Sequence, residues 1–248
     1  MSKIKSETHN DLIDGIYEII HLLLKSGGDE LLAEFLLQSQ INSLVENDKH
    51  RINAKPIELK NSLTKKVNIV KNLLRSTAEL KGNVLTHKLA EHMIDNPRLY
   101  PEIELAEIIF ELQDVMMGNH RTGYHLLREH VLNTMSLELG IGLRSEEDWS
   151  IDAKLPCGCE YCNVAMEFLK SKTQVNKIWP IIMEHREHIS KVFDGLCLPV
   201  NISVQKSGSP HKLVLVKLDK IYYEAKTRYI TLQDYYSRLA NSAEASNG

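Results

Sequence analysis

The segment LPCGCEYCNVAMEF, from Leu155 to Phe168, places three of the chain's four cysteines within six positions. Cys157, Cys159 and Cys162 follow a C-x-C-x2-C spacing. Thiols that close together in a polar turn reach one centre readily, whereas a disulfide across C-x-C closes a strained small ring. Metal binding is the chemistry this favours. Soft thiolates select zinc, and an iron–sulfur cluster would want a fourth cysteine at a matching spacing. Tetrahedral zinc needs a fourth ligand, and the sequence offers three: His185 and His188 of EHREH, nearly on one helical face, and Cys197. The plain alternative, three small buried apolar side chains beside a solvated helix, gives no reason for this spacing in so polar a turn. Four protein ligands would close the sphere, so the ion would be structural, with no position for activated water. Such sites contribute an apparent ~10–16 kcal/mol to the folding of zinc-finger peptides.

Other constellations carry less. A zinc deaminase needs H-x-E followed by P-C-x-x-C; Pro156–Cys157 and His185-Arg186-Glu187 come in the wrong order, and Glu160 stands where the second cysteine should be. His120, His125 and His130 recur at steps of five, which swing each 140° around a helix and keep them from one ion. His87 and His92 fail for the same reason. No G-x-S-x-G, Walker A loop or G-x-G-x-x-G occurs, and SGGDE after Lys25 has glycines but no preceding strand, so it reads as a helix connector. Tyr222, Tyr223, Tyr229, Tyr235 and Tyr236 share one predicted helix with Lys220, Lys226 and Arg228. Interleaved rings and bases can stack on and neutralise nucleic acid, although so many tyrosines more often dock a helix against its neighbours.

The elements that must position these residues are mainly helical. Leu12, Ile13, Ile16, Ile19, Ile20, Leu23 and Leu24 recur at steps of three and four up to Gly27–Gly28, and Leu31, Leu32, Phe35 and Leu36 open a second helix. After the polar stretch ENDKHRINAKP, Leu59, Leu63, Val67, Val70 and Leu74 mark a third helix from Pro56 to near Gly82. Leu85, Leu89 and Met93 give a fourth, stopped by the prolines of NPRLYP, since Pro101 disfavours the α region at Tyr100. Leu105 to Met116 forms a fifth, ending at Gly118, and Leu127, Val131 and Met135 a sixth. Short helices with short breaks predict a helical bundle or short solenoid over residues 1–142.

Residues 143–248 read as a zinc-binding α+β unit. One helix runs through Ala165, Phe168 and Leu169, and a longer one through Ile178, Ile181, Ile182 and Ile189. Leu198, Val200, Ile202 and Val204 alternate, as do Leu213, Leu215 and Lys217, with turn residues KSGSPH between them, which predicts one β-hairpin. A final helix carries Leu218, Ile221, Ala225, Leu232, Tyr236 and Leu239 before the polar tail NSAEASNG, whose composition predicts disorder.

Composition sets the class. The chain of 248 residues is 43% apolar, with no run of 18 apolar residues, which predicts a globular protein and no membrane span. The start, MSKIKSETHN, is polar where a secretory signal would be apolar, so the expected compartment is intracellular, cytoplasmic or nuclear, where clustered thiols stay reduced. Net charge is −3 but unevenly spread: residues 154–248 hold 13 Lys/Arg against 9 Asp/Glu, leaving 17 against 24 for residues 1–153. Two units with different partners would account for that asymmetry.

CGCEYC, the Phe168–Leu169 helix, EHREHI and GSPHKLVLVK together carry a resemblance. This stretch, Leu155 to about Tyr223, resembles the cysteine-rich C-terminal accessory region that follows the oxygenase domain in fungal and plant proteins similar to prolyl-4-hydroxylases. The matched positions are Cys157, Cys159, Cys162, Phe168, Leu169, Arg186, His188, Gly208, Ser209, Pro210 and Lys217. Its Arg-x-His step puts His188 ahead of Cys197 and His185 as fourth ligand. The resemblance implies a metal site and a fold, and no oxygenase: the one H-x-D, His9-Asn10-Asp11, precedes the first helix rather than lying on a strand, so iron and 2-oxoglutarate do not carry over.

Three functions follow as expectations. A non-catalytic, zinc-stabilised helical interaction protein, an adaptor or scaffold for a protein partner, stands first. A nucleic-acid-binding module comes second, contacting phosphates through Lys206, Lys212, Lys220, Lys226 and Arg228. An enzyme of unrecognised class, with no motif to place its chemistry, comes third.

Overall fold

The computed structural model describes residues 15–54, 56–80, 83–116 and 122–244. Among them run nine helices and three strands: α1 (Ile16–Lys25), α2 (Glu30–Arg51), α3 (Pro56–Glu79), α4 (Asn83–Asp95), α5 (Glu102–Met116), α6 (Thr122–Ile141), α7 (Glu160–Lys170), β1 (Asn176–Pro180), α8 (Met183–Gly195), β2 (Val200–Gln205), β3 (Lys212–Lys217) and α9 (Lys220–Glu244). The fold is mainly α with a small antiparallel sheet. No helix among the described residues is long and apolar enough to cross a membrane. Leu12, Ile13, Gly82, Gly118, His120 and the His9-Asn10-Asp11 triplet lie outside the described residues.

The chain divides into two compact units. The first takes its described residues from Met1–Ala54, Glu58–Gly140 and Leu232–Gly248, the second from Lys55–Ile57 and Ile141–Thr231. In the first unit, the apolar faces of α1 to α6 meet with Leu232 and Leu239 in one core, where Leu37, Ile41, Leu73, Leu89, Met93, Ile109 and Leu127 are fully buried. Helix ends follow local chemistry. Gly27, at φ +73°, turns the chain out of α1, and the Gly28 N–H reaches back to the Leu23 carbonyl at 2.9 Å. Asp29 caps α2, its carboxylate accepting the Leu31 N–H at 2.9 Å.

Two elements differ from the sequence expectation. The stretch Glu46–Arg51, read as a polar connector, continues α2 to its end. Its polarity is no obstacle because Asp48 turns inward to partners on other elements. The second difference lies at Ile178, expected in a helix with Ile181 and Ile182. Instead Asn176–Pro180 is a strand, and the helix starts only at Met183. Pro180 disfavours the α region at Trp179, so the chain runs extended there and pairs with β3.

The sheet of the second unit therefore has three strands, in order β1-β3-β2, where one hairpin was expected. Both pairings are antiparallel, with Ile178 opposite Val214 and Val214 opposite Ser203. Along β3, Leu213, Leu215 and Lys217 face inward and are buried. Lys217 is tolerated there because its ammonium reaches the C-terminal end of α7, donating to the carbonyls of Leu169 at 3.1 Å and Ser171 at 2.8 Å. Burial still pushes its pKa down to about 8. Phe168, Ile189 and Phe193, from α7 and α8, pack with this sheet face into the second core.

Candidate metal centre

The turn before α7 and the middle of α8 supply the site. Cys159 is the N-cap of α7, in extended conformation, and its sulfur accepts the Cys162 N–H at 3.4 Å. A helix N-terminus favours negative charge on this sulfur, which is why a cysteine can take a place usually held by serine or aspartate. Cys162, one turn on, points from α7 into the core and is fully buried. Cys157 precedes the cap and is half-buried.

From α8, the His188 Nε2 lies 3.2 Å from the Cys162 Sγ and 3.6 Å from the Cys159 Sγ. The ligand atoms of Cys157, Cys159, Cys162 and His188 all lie within 4.8 Å of one another, close enough to hold a metal ion. Among the described residues, no other group of histidine, cysteine and carboxylate side chains converges in this way.

The electrostatics suit a cation. The Cys159 thiol is pushed down to about 7, first by the Cys162 N–H and then by hydrogen bonds from Cys157, Cys162 and His188. Cys162 moves the other way, up to about 12, first through burial and then because Cys159 and Cys157 crowd it with negative charge. Three thiolates cannot share so small a space unless something positive sits among them.

The other two candidates point elsewhere. His185, three residues before His188, is rotated about 60° around α8 by helical geometry. Its ring stacks on Tyr161 with centroids 3.7 Å apart. Cys197 is exposed beyond the end of α8, at φ +52°, with its sulfur 3.7 Å from the Asp194 carbonyl. Neither joins the group.

The basic residues considered for nucleic acid lie on the β2–β3 hairpin and on α9. Lys206 is exposed in the β2–β3 loop, and Lys212 sits in β3 opposite Pro180 and Gln205. On α9, Lys220 pairs with Glu224 at 3.9 Å, and Lys226 lies 5.7 Å from the Tyr222 ring centre. Those two lysines are six positions apart, about 240° around the helix, so they do not share a face. Arg228 is exposed.

A second polar cluster escaped the sequence reading. Buried Asp48 on α2 accepts hydrogen bonds from the Lys66 Nζ at 2.6 Å and the Tyr100 hydroxyl at 2.5 Å, and its carboxylate lies 2.9 Å from the His92 Nε2. Lys66 also sits 4.0 Å from the Tyr100 ring centre. Burial alone would raise the Asp48 carboxyl, but its three hydrogen-bonding partners and the Lys66 charge hold it below the usual range. Burial presses Lys66 down to about 8, against the pull of Asp48, so the pair is ionised at neutral pH. Polar letters at helical spacing were the available signal, and they look the same on a solvated face. Compared with known proteins, the chain matches no family model and no curated protein sequence.

Proposed function

We propose that this is a non-catalytic interaction protein whose second unit is held by one structural zinc ion on Cys157, Cys159, Cys162 and His188. The supporting observation is the size of the cluster. With Zn–S of about 2.3 Å and Zn–N of about 2.0 Å, a tetrahedral ion sets sulfur–nitrogen edges of about 3.5 Å, and the two measured edges are 3.2 and 3.6 Å. Three thiolates and an imidazole fill all four positions, so this ion would act on folding rather than on a substrate. The resemblance of Leu155–Tyr223 to a cysteine-rich accessory region supports the same reading.

The interaction role draws on surface chemistry. Leu31 and Phe35, one turn apart on α2, are 74% and 69% exposed, beside Leu32 at 46%. A cluster of large exposed apolar side chains suits a protein partner better than a polyanion. Metal analysis of purified protein is the test, with about one zinc per chain expected. Chelation should abolish cooperative unfolding of the second unit. Protein that lacks metal and keeps its fold under chelator would overturn the zinc reading. Salt-dependent retention on a polyanion column would move the role to nucleic acid.

A further inference from the structure

A cleft of about 170 Å³ opens in the second unit, lined by Glu146, Asp148, Trp149, Asp219, Ile221, Tyr222 and Tyr223. Three aromatic rings and three carboxylates line it; the cations beside it are Arg144, paired with Asp148, and Lys226, near Tyr222, which leaves Glu146 and Asp219 to set its charge. That composition selects the charge of a ligand: an anion would be repelled, and a neutral apolar group would gain nothing from the carboxylates. A cation fits both features, since aromatic faces attract positive charge through their quadrupole.

The kind of cation follows from what the carboxylates do not do. A hard metal ion needs several oxygens converging within bonding distance, and among the described residues only the cysteine–histidine group is that tight. Asp148 is moreover already engaged, accepting the Ser150 N–H at 2.9 Å and hydroxyl at 2.6 Å, with Arg144 at 3.4 Å. A primary ammonium would ask for direct hydrogen bonds to carboxylates. A quaternary ammonium has no N–H and asks for none, is cheaper to desolvate, and gains from ring faces and from negative charge at a distance.

We propose that this cleft is a binding site for a quaternary ammonium group. The main chain around the cleft is tied down. The Trp149 main-chain N–H donates to the Lys172 carbonyl at 2.8 Å, the Arg144 Nε donates to the Asp148 main-chain carbonyl at 2.8 Å, and Ile221 is buried in the second core. Tyr222 and Tyr223 ride on the first turn of α9, their ring centres 5.6 Å apart and nearly edge to face. The Lys226 ammonium lies 5.7 Å from the Tyr222 ring centre, so a ligand on that ring face would compete with that lysine.

The chain has two tryptophans, so a Trp179→Phe variant excited beyond the tyrosine absorption band leaves Trp149 as the reporting ring. Titration with tetramethylammonium chloride against matched sodium chloride should give a saturable change in Trp149 emission. Tyr222→Ala should weaken binding about five-fold and Tyr222→Phe should preserve it, because the ring face supplies the attraction. Glu146→Gln should weaken it about two-fold at low salt. If Trp179→Phe fails to fold, saturation transfer to the tetramethylammonium methyl protons on the wild-type chain gives the same answer. Tighter binding of acetyl-trimethyllysine amide than of choline would identify a modified side chain as the source, and the reverse order a free cation. The proposal is overturned if no saturable binding occurs, or if unmethylated lysine amide binds equally well.

Discussion

At the scale of single residues, the energetics concentrate where charge is buried. Asp48 and Lys66 face each other in the first unit, both almost wholly inaccessible to water. Each makes the other tolerable. Asp48→Asn would strand a buried ammonium, which costs about 3–5 kcal/mol, whereas Asp48→Asn combined with Lys66→Met should recover much of that loss. Urea unfolding at neutral pH measures both. The pH dependence has a definite sign. The Asp48 carboxyl is held below its unfolded value in the folded chain, so its contribution is complete above an unfolded pKa of about 3.9 and disappears as pH falls through the lower folded value. Acid titration of stability should therefore be flatter below pH ~4 in Asp48→Asn than in the wild type.

Helix packing, at the scale of elements, brings one of the described glycines unusually close to a neighbouring helix. Gly123, near the start of α6, lies so close to the backbone of Thr86 and His87 on α4 that a Cβ would overlap main-chain atoms. Backbone cannot swing aside as the end of a flexible side chain can. Gly123→Ala should therefore lower stability by about 1–3 kcal/mol through forced separation of the two helices, despite alanine's better helix propensity. Thermal melts compared with Gly140→Ala, where a Cβ meets open space, would isolate the packing effect. Helix existence was legible here because apolar letters recur at steps of three and four and glycine or proline punctuates them. The strand β1 was not, since Ile178, Ile181 and Ile182 happen to fall at helical spacing and only pairing with β3 decides between the two. Nor was the last turn of α2, whose polar letters hide an inward carboxylate.

For the whole molecule, the proposed ion predicts unequal sensitivity of its two units. All four candidate ligands belong to the second unit, whereas the first has its own core built from α1 to α6 and the end of α9. Hydrogen exchange under chelator should show lost amide protection over residues 141–231, while α2, α3 and α4 keep theirs. Equal loss in both units would argue that a single cooperative transition covers the chain. The chain passes between the two units at other points than the expected boundary after residue 142: residues from Leu232 onward count with the first unit.

What the letters alone determined was local. Three thiols in six positions gave the metal hypothesis, periodicity gave helices, alternation gave β2 and β3, and each depends only on neighbours in the chain. Choosing among distant partners belonged to the tertiary structure. The turn at Cys159 and the face of α8 that carries His188 meet only because α7 and α8 pack on one sheet, which turns His185 toward Tyr161 and leaves Cys197 outside. Asp48 finds Lys66, His92 and Tyr100 from three other segments, and Trp149 and Tyr222, some seventy residues apart in the chain, line one cleft. Such contacts are set by how faces bury against one another in space, and a one-dimensional pattern records which faces exist but not which ones meet.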